Sequence, residues 1–166
     1  MRNARLGSMP EIKMTPIGYV RNSVHGPKED YWGEVQSKIE LDAGKFSADA
    51  LKGFEEFSHL EVLFHCSRVE ESAVLTGSRH PRGNPAWRVT GIFAQRGKAR
   101  PNRIGATICR VLRVKELEIT VSGLDALDGT PVLDIKPVLA EFLPDKLEIR
   151  QPRWSHELMA KYFATG

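Results

Sequence analysis

The sequence holds only two cysteines, Cys66 and Cys109, and their spacing fits neither a disulfide framework nor a cysteine-based zinc site. Both are expected as free thiols. No apolar run approaches the roughly 20 residues that a bilayer-spanning helix needs, and the first ten residues are polar and basic without an apolar signal-peptide core. The expected location is therefore the cytoplasm, with no membrane association. The Gly-x-x-x-x-Gly-Lys-Ser/Thr and His-Glu-x-x-His patterns are missing, and no Gly-x-Gly-x-x-Gly follows a strand, which disfavours ordinary nucleotide hydrolysis and zinc proteolysis. His59 and His65 could share one face of a strand, but they would stand about 20 Å apart on it. No metal site is expected.

Acidic residues are absent from a long central stretch. Between residues 72 and 115 there is no Asp or Glu, while Arg79, Arg82, Arg88, Arg96, Lys98, Arg100, Arg103, Arg110, Arg113 and Lys115 contribute ten positive charges. The net charge of +3 hides this, because the remainder of the chain carries 14 basic against 21 acidic residues. Such a segment is either an electrostatic footprint for a polyanion such as nucleic acid or a solvated basic face balanced by the acidic remainder.

With 166 residues, 41% hydrophobic and 27% charged, the chain has enough apolar material for one core and too little length for two. A flexible N-terminal extension is expected over residues 1–12, the main domain over 13–145, and a helical tail packed on it over 146–166. Alternation of apolar and polar side chains predicts strands over residues 15–22, 34–41 and 117–122, apolar Leu60, Val62, Leu63 and Phe64 predict a buried strand over 59–66, and residues 87–94 and 104–114 read as strands by composition. Asp128-Gly129 predicts a hairpin turn joining residues 124–127 to 131–135. Ser47 is placed to cap a helix over 48–57, and Ser155 one over 154–163. Residues 67–85 are polar and turn-rich and predict a long loop. Many short strands and two helices imply a mainly β sheet, most simply closed into a barrel so that no edge is left exposed.

Two stretches carry chemistry. The first is Gly91-Ile92-Phe93-Ala94-Gln95-Arg96-Gly97-Lys98-Ala99-Arg100-Pro101-Asn102-Arg103-Ile104-Gly105, an apolar strand entering a loop with four cationic side chains. Gly97 and Gly105 permit close backbone approach and Pro101 fixes φ, so the loop is suited to hold an anion. The second is Asp125-Ala126-Leu127-Asp128-Gly129-Thr130-Pro131-Val132-Leu133-Asp134-Ile135-Lys136-Pro137. Here Asp134 lies between Leu133 and Ile135 in an expected buried strand, where a carboxylate needs a donor or a cationic ligand, and Lys136 is expected on the same face.

With Phe57-Ser58-His59-Leu60 upstream, these two stretches resemble the TsaA-like (TrmO) family, in a short form without the extra C-terminal domain of longer bacterial members. The resemblance implies a small single-sheet β-barrel with a few short peripheral helices. It further implies a homodimer that binds S-adenosyl-L-methionine and methylates N6 of threonylcarbamoyladenosine beside the tRNA anticodon. The family's cofactor contacts fall on Asp30, Tyr31, Trp32, Cys66, Ser67, Arg96, Ala106, Val132, Leu133, Asp134 and Ile135. Asp134 is also the candidate general base, and Arg79, Arg82, Lys98, Arg100 and Arg103 are the candidate tRNA-phosphate contacts. Against the family pattern, Gln95 and Gly97 replace hydroxyl residues, Arg103 replaces a proline and Val138 an aromatic. Competing readings are methylation of a small molecule or another RNA, or a non-catalytic S-adenosylmethionine-binding or docking module.

Overall fold

The computed structural model describes residues 10–165; most of the expected N-terminal extension, residues 1–9, and Gly166 lie outside the described residues. Its eight strands are β1 (Gly18–Arg21), β2 (Gln36–Leu41), β3 (His59–His65), β4 (Ser78–Arg79), β5 (Thr90–Gly91), β6 (Ile104–Lys115), β7 (Glu118–Ser122) and β8 (Pro131–Pro137). Six of them close a barrel in the order β1-β2-β7-β6-β3-β8, while β4 and β5 pair apart from it. Every pairing is antiparallel.

The period-two pattern explains the closure. Ser37, Ile39 and Leu41 of β2, Leu60, Val62 and Phe64 of β3, and Ile119 and Val121 of β7 point inward, and Val20, Cys109, Val132, Leu124 and Ala126 fill the space between them. Removing this continuous apolar surface from water drives the fold. Alternate residues face out and pair across strands, as Lys38 does with Glu118 at 3.1 Å and Arg21 with Glu40 at 3.0 Å. Gly105 stands opposite Phe64 in the β3–β6 register, and a Cβ there would lie 2.3 Å from the ring. The aromatic ring therefore lies over the glycine. Gly105→Ala is expected to cost about 1–3 kcal/mol, because a packed ring must leave its place. Urea unfolding measures it, and wild-type stability in the mutant would mean that the ring is free to move.

Several expectations are corrected. The helix over 48–57 is replaced by two 3-10 turns, Ala48–Leu51 and Phe54–Glu56, broken at Gly53, whose φ of 83° no continuing helix accepts; Ser47 makes no capping bond. The strand over 87–94 shrinks to β5, followed by a 3-10 turn at Ile92–Ala94. Residues 124–127 form no strand. Asp128-Gly129 does turn, with Gly129 at φ 77°, but the turn bonds to the end of β1 through Gly129 N–H to the Val20 carbonyl and Asp128 N–H to the Val24 carbonyl. The C-terminal helix α1 is shorter than expected, Arg153–Met159, and the Ser155 hydroxyl bonds back to the Pro152 carbonyl. No helix among the described residues is long and apolar enough to cross a membrane.

The most consequential correction concerns Asp134. In β8 the register to β3 slips between Leu63 and Phe64, so that Val132 faces Phe64 and Asp134 faces Leu63 with Leu133 as an extra residue. This β-bulge reverses the alternation. Instead of lying buried beside Val132, Asp134 turns outward, 42% exposed, and pairs with Lys136 at 2.7 Å.

Candidate functional site

β6 pairs with β3 along residues 104–110 but with β7 only along 110–115, so the first half of β6 has no strand on its β7 side. The chemistry gathers at this gap. Arg96 is exposed, and its Nη2 donates to the Ala106 carbonyl at 2.5 Å. Asp125 reaches the same strand, where its carboxylate accepts hydrogen bonds from the Thr107 hydroxyl on one oxygen and the Tyr162 hydroxyl on the other.

Tyr162 comes from the C-terminal segment, which is fastened to the early loop. Tyr31 and Trp32 N–H groups donate to the Lys161 and Tyr162 carbonyls at 2.9 and 2.8 Å. Gly33 allows this approach, since a Cβ there would meet the Phe163 carbonyl oxygen at 2.2 Å. Arg82 locks the arrangement: its guanidinium bonds Asp30 Oδ1 and the Glu29 carbonyl, each at 2.9 Å, and stands 5.7 Å from the Tyr162 ring centroid. Further out, α1 is pinned to the segment before β5 by Trp87 Nε1 donating to Glu157 at 2.8 Å.

The negative charge of Asp125 is felt around the site. Burial first, and Asp125 second, push the Cys66 thiol up, against the lowering influence of Lys98, Arg100 and Arg103. The same two causes push Cys109 up to about 12. Tyr162 is also raised, by burial and then by Asp125, while Arg82 and Arg96 oppose the shift. Because the thiolate is the nucleophile, both cysteines are expected to resist iodoacetamide at neutral pH in the folded protein and to react once it is unfolded. Mass spectrometry of the alkylated protein checks this, and rapid labelling of the folded chain at either thiol would contradict it.

The structure thus brings Asp30, Tyr31, Trp32, Cys66, Arg82, Arg96 and Ala106 to one gap, with Ser67 exposed just past Cys66. It sets Val132, Leu133, Asp134 and Ile135 apart. Ala106, Leu63 and Asp134 align across β6, β3 and β8, so two interstrand spacings, about 10 Å, separate the outer members. Toward β1, β8 is paired only at Pro131 and Val132, which leaves 133–135 without a strand on that side; there the Ile135 N–H turns to Asp134 Oδ1 at 3.0 Å.

The candidate phosphate contacts are mostly bonded within the chain. Arg100 donates to the Gln95 carbonyl at 3.2 Å and Arg103 to the Val69 carbonyl at 2.8 Å. Arg79 lies beside Gly97, where a Cβ would be 3.2 Å from its Nη2, and its buried Nε has no partner. Lys98 is exposed. Two departures from the family pattern acquire a physical reason here. Arg103 adopts φ 51°, a conformation closed to the proline it replaces, and the Gln95 amide bonds the Arg79 and Thr90 carbonyls, tying the β4–β5 pair to the cationic loop. Sequence reasoning overlooked Thr107, Asp125 and Tyr162, although Asp125 opens the second quoted stretch. Two shallow surface depressions, around Ser37 and Thr120 and around Phe57 and Val111, share no residue with the gap. No group of three or more potential metal ligands occurs among the described residues.

The closed six-stranded antiparallel sheet defines a small β-barrel protein, with the candidate site at a gap in the barrel wall and not in its interior. The family follows from comparison with known proteins. The chain belongs to the family of the tRNA-methyltransferase O N-terminal domain, which matches residues 22–143. It is 38% identical over 118 residues to a mouse protein named tRNA (adenine(37)-N6)-methyltransferase, covering 70% of this chain and 26% of the relative. It is 36% identical over 131 residues to a Methanothermobacter thermautotrophicus protein named "Probable S-adenosyl-L-methionine-binding protein", covering 76% of this chain and 90% of the relative. The crystal structure of TrmO from Pseudomonas aeruginosa superposes with a TM-score of 0.70 at 26% identity, covering 89% of this chain and 63% of that one. The chain therefore spans about a quarter of the mouse relative and nearly two thirds of the bacterial structure.

Proposed function

We propose that this protein is an S-adenosylmethionine-dependent methyltransferase acting on N6 of threonylcarbamoyladenosine beside the tRNA anticodon. The observation that carries this reading is the gap in β6, where an exposed guanidinium is fixed beside a carboxylate that has no ion-pair partner among the described residues. The donor set suits the ligand: a guanidinium for its carboxylate, a carboxylate for its positive charge, and an uncovered strand backbone at 133–135 for its adenine edge. The names of the mouse and archaeal relatives point the same way.

When bound, S-adenosylmethionine supplies an already reactive methyl group. The protein then has to align the acceptor nitrogen and keep water away. Arg96 orients the ligand through its carboxylate, and the Asp30–Trp32 loop, tied to the C-terminal segment, shuts one side. Asp134 remains the proposed base for the N6 proton, with the Lys136 ammonium paired to it at 2.7 Å. Arg79, Arg82, Lys98, Arg100 and Arg103 face the tRNA phosphates, and the working unit is a homodimer in the cytoplasm.

Titration calorimetry with S-adenosylmethionine, followed by nucleoside mass spectrometry of threonylcarbamoyladenosine-containing tRNA incubated with both, tests the reading. Heat of binding and a new N-methylated nucleoside are expected; absence of either defeats it. Lys98→Ala should lower the slope of log K for tRNA against log salt by about one and leave cofactor affinity unchanged. An unchanged slope would remove Lys98 from the interface.

A further inference from the structure

The reading above gives the Asp125 carboxylate to the ligand's positive charge without saying which of its two cationic groups it meets. Asp125 lies between Leu124 and Ala126, whose side chains are buried in the barrel, and it turns the other way, toward the β6 edge. One hydroxyl serves each oxygen, Thr107 on Oδ1 and Tyr162 on Oδ2. Yet Asp125 takes part in none of the ion pairs among the described residues. The guanidinium groups around it are directed elsewhere: Arg82 to Asp30, Arg96 to the Ala106 carbonyl and Arg103 to the Val69 carbonyl. A partly buried carboxylate is thus hydrogen-bonded but, among the described residues, not ion-paired, in a site otherwise rich in positive charge.

We infer that Asp125 is the counter-charge for the sulfonium of bound S-adenosylmethionine, and that Tyr162 is a positioning residue that holds this carboxylate in place. The assignment rests on the S-adenosylmethionine reading of the site. A sulfonium has no N–H or O–H to donate and is recognised chiefly through its positive charge and the polarised C–H groups that carry it. A carboxylate whose hydrogen bonds are already satisfied offers that kind of interaction. The ligand's ammonium, in contrast, brings three donors that seek free acceptors. Methyl transfer breaks the S–CH3 bond and leaves its electron pair on sulfur, while the N–CH3 bond forms and the N–H proton passes to the base. The sulfur product is then a neutral thioether, so Asp125 loses its counter-charge and the product is held less tightly than the cofactor. Tyr162 lies beyond residue 143, where the family match ends, so the C-terminal segment supplies this control from within the same chain.

The test is calorimetry on the full chain with S-adenosylmethionine and with S-adenosylhomocysteine, which shares every group except the charged methyl sulfonium. The wild-type protein is expected to prefer the former by about tenfold, the scale of one partly screened charge pair. Asp125→Asn should bring that ratio close to one with little change for S-adenosylhomocysteine, and Tyr162→Phe, which keeps the ring, should lower it partway. Arg96→Ala should weaken both ligands alike. Equal weakening of both ligands by Asp125→Asn, or a ratio that does not change, overturns the assignment while leaving the binding reading intact. If the wild-type protein binds neither ligand, both fall. Thermal melts accompany each variant; should Asp125→Asn show no folding transition, the Tyr162→Phe ratio decides, and an unchanged value overturns the proposal.

Discussion

Leu60→Ala is expected to lower the free energy of unfolding by about 2–5 kcal/mol, the range for a large-to-small change in a core that cannot collapse around the void. Leu60 is fully buried on β3, which is paired along its whole length with β6 and over most of it with β8. Its side chain meets the barrel interior together with Val62, Ile39, Ile119 and Val132, all at 0% exposure. Strands hydrogen-bonded on both sides have little freedom to move inward, so the cavity should persist. Ile108 is the internal comparison, since it lies on the opposite face of β6 and is 45% exposed. Ile108→Ala should cost a fraction of the Leu60 effect in the same urea titration, and equal costs would contradict the inward and outward assignment on which the barrel rests.

Strands β2, β3 and β7 were legible because each obeys a rule confined to neighbouring residues, a buried side chain at every second position, whereas in β6 that rule is broken by the register shift between Val111 and Arg113 and by the exposed Ile108 and Leu112. The tail helix was legible for the same local reason, though three or four residues too long. What the sequence concealed depends on a single residue's backbone or on distant partners. Gly53 at φ 83° divides an apparent helix into two turns, and the helical spacing of Leu51, Phe54 and Phe57 gives no warning of it. One extra residue at Leu133 turns Asp134 from the core to the outer face, which changes its partner from an expected ligand to Lys136. Family resemblance offered Arg96 and the Asp30–Trp32 loop as candidates, and the structure adds that Arg82 and the C-terminal segment bind that loop. The Asp125–Tyr162 bond joins residues 37 apart, so no periodicity or short motif could announce it.

The largest functional loss is expected from Arg96→Ala, which should weaken S-adenosylmethionine binding by about 10- to 150-fold, equivalent to the roughly 1.5–3 kcal/mol of a charge-assisted hydrogen bond. The guanidinium is exposed but not loose, because one of its N–H groups is committed to the Ala106 carbonyl and so fixes its direction. The remaining donors of the planar fork are available to a carboxylate, and two parallel bonds orient the ligand as well as hold it. Arg96→Lys therefore separates charge from geometry: it keeps the cation, cannot span both the Ala106 carbonyl and a carboxylate in one plane, and should recover only part of the affinity. Neither change empties the core, since Arg96 stands on the surface beside β6, so urea midpoints should stay near the wild-type value. Loss of binding with unchanged stability is the signature of a ligand-facing arginine. If Arg96→Ala binds S-adenosylmethionine as the wild-type protein does, the ligand's carboxylate is held elsewhere and the gap in β6 is not its site.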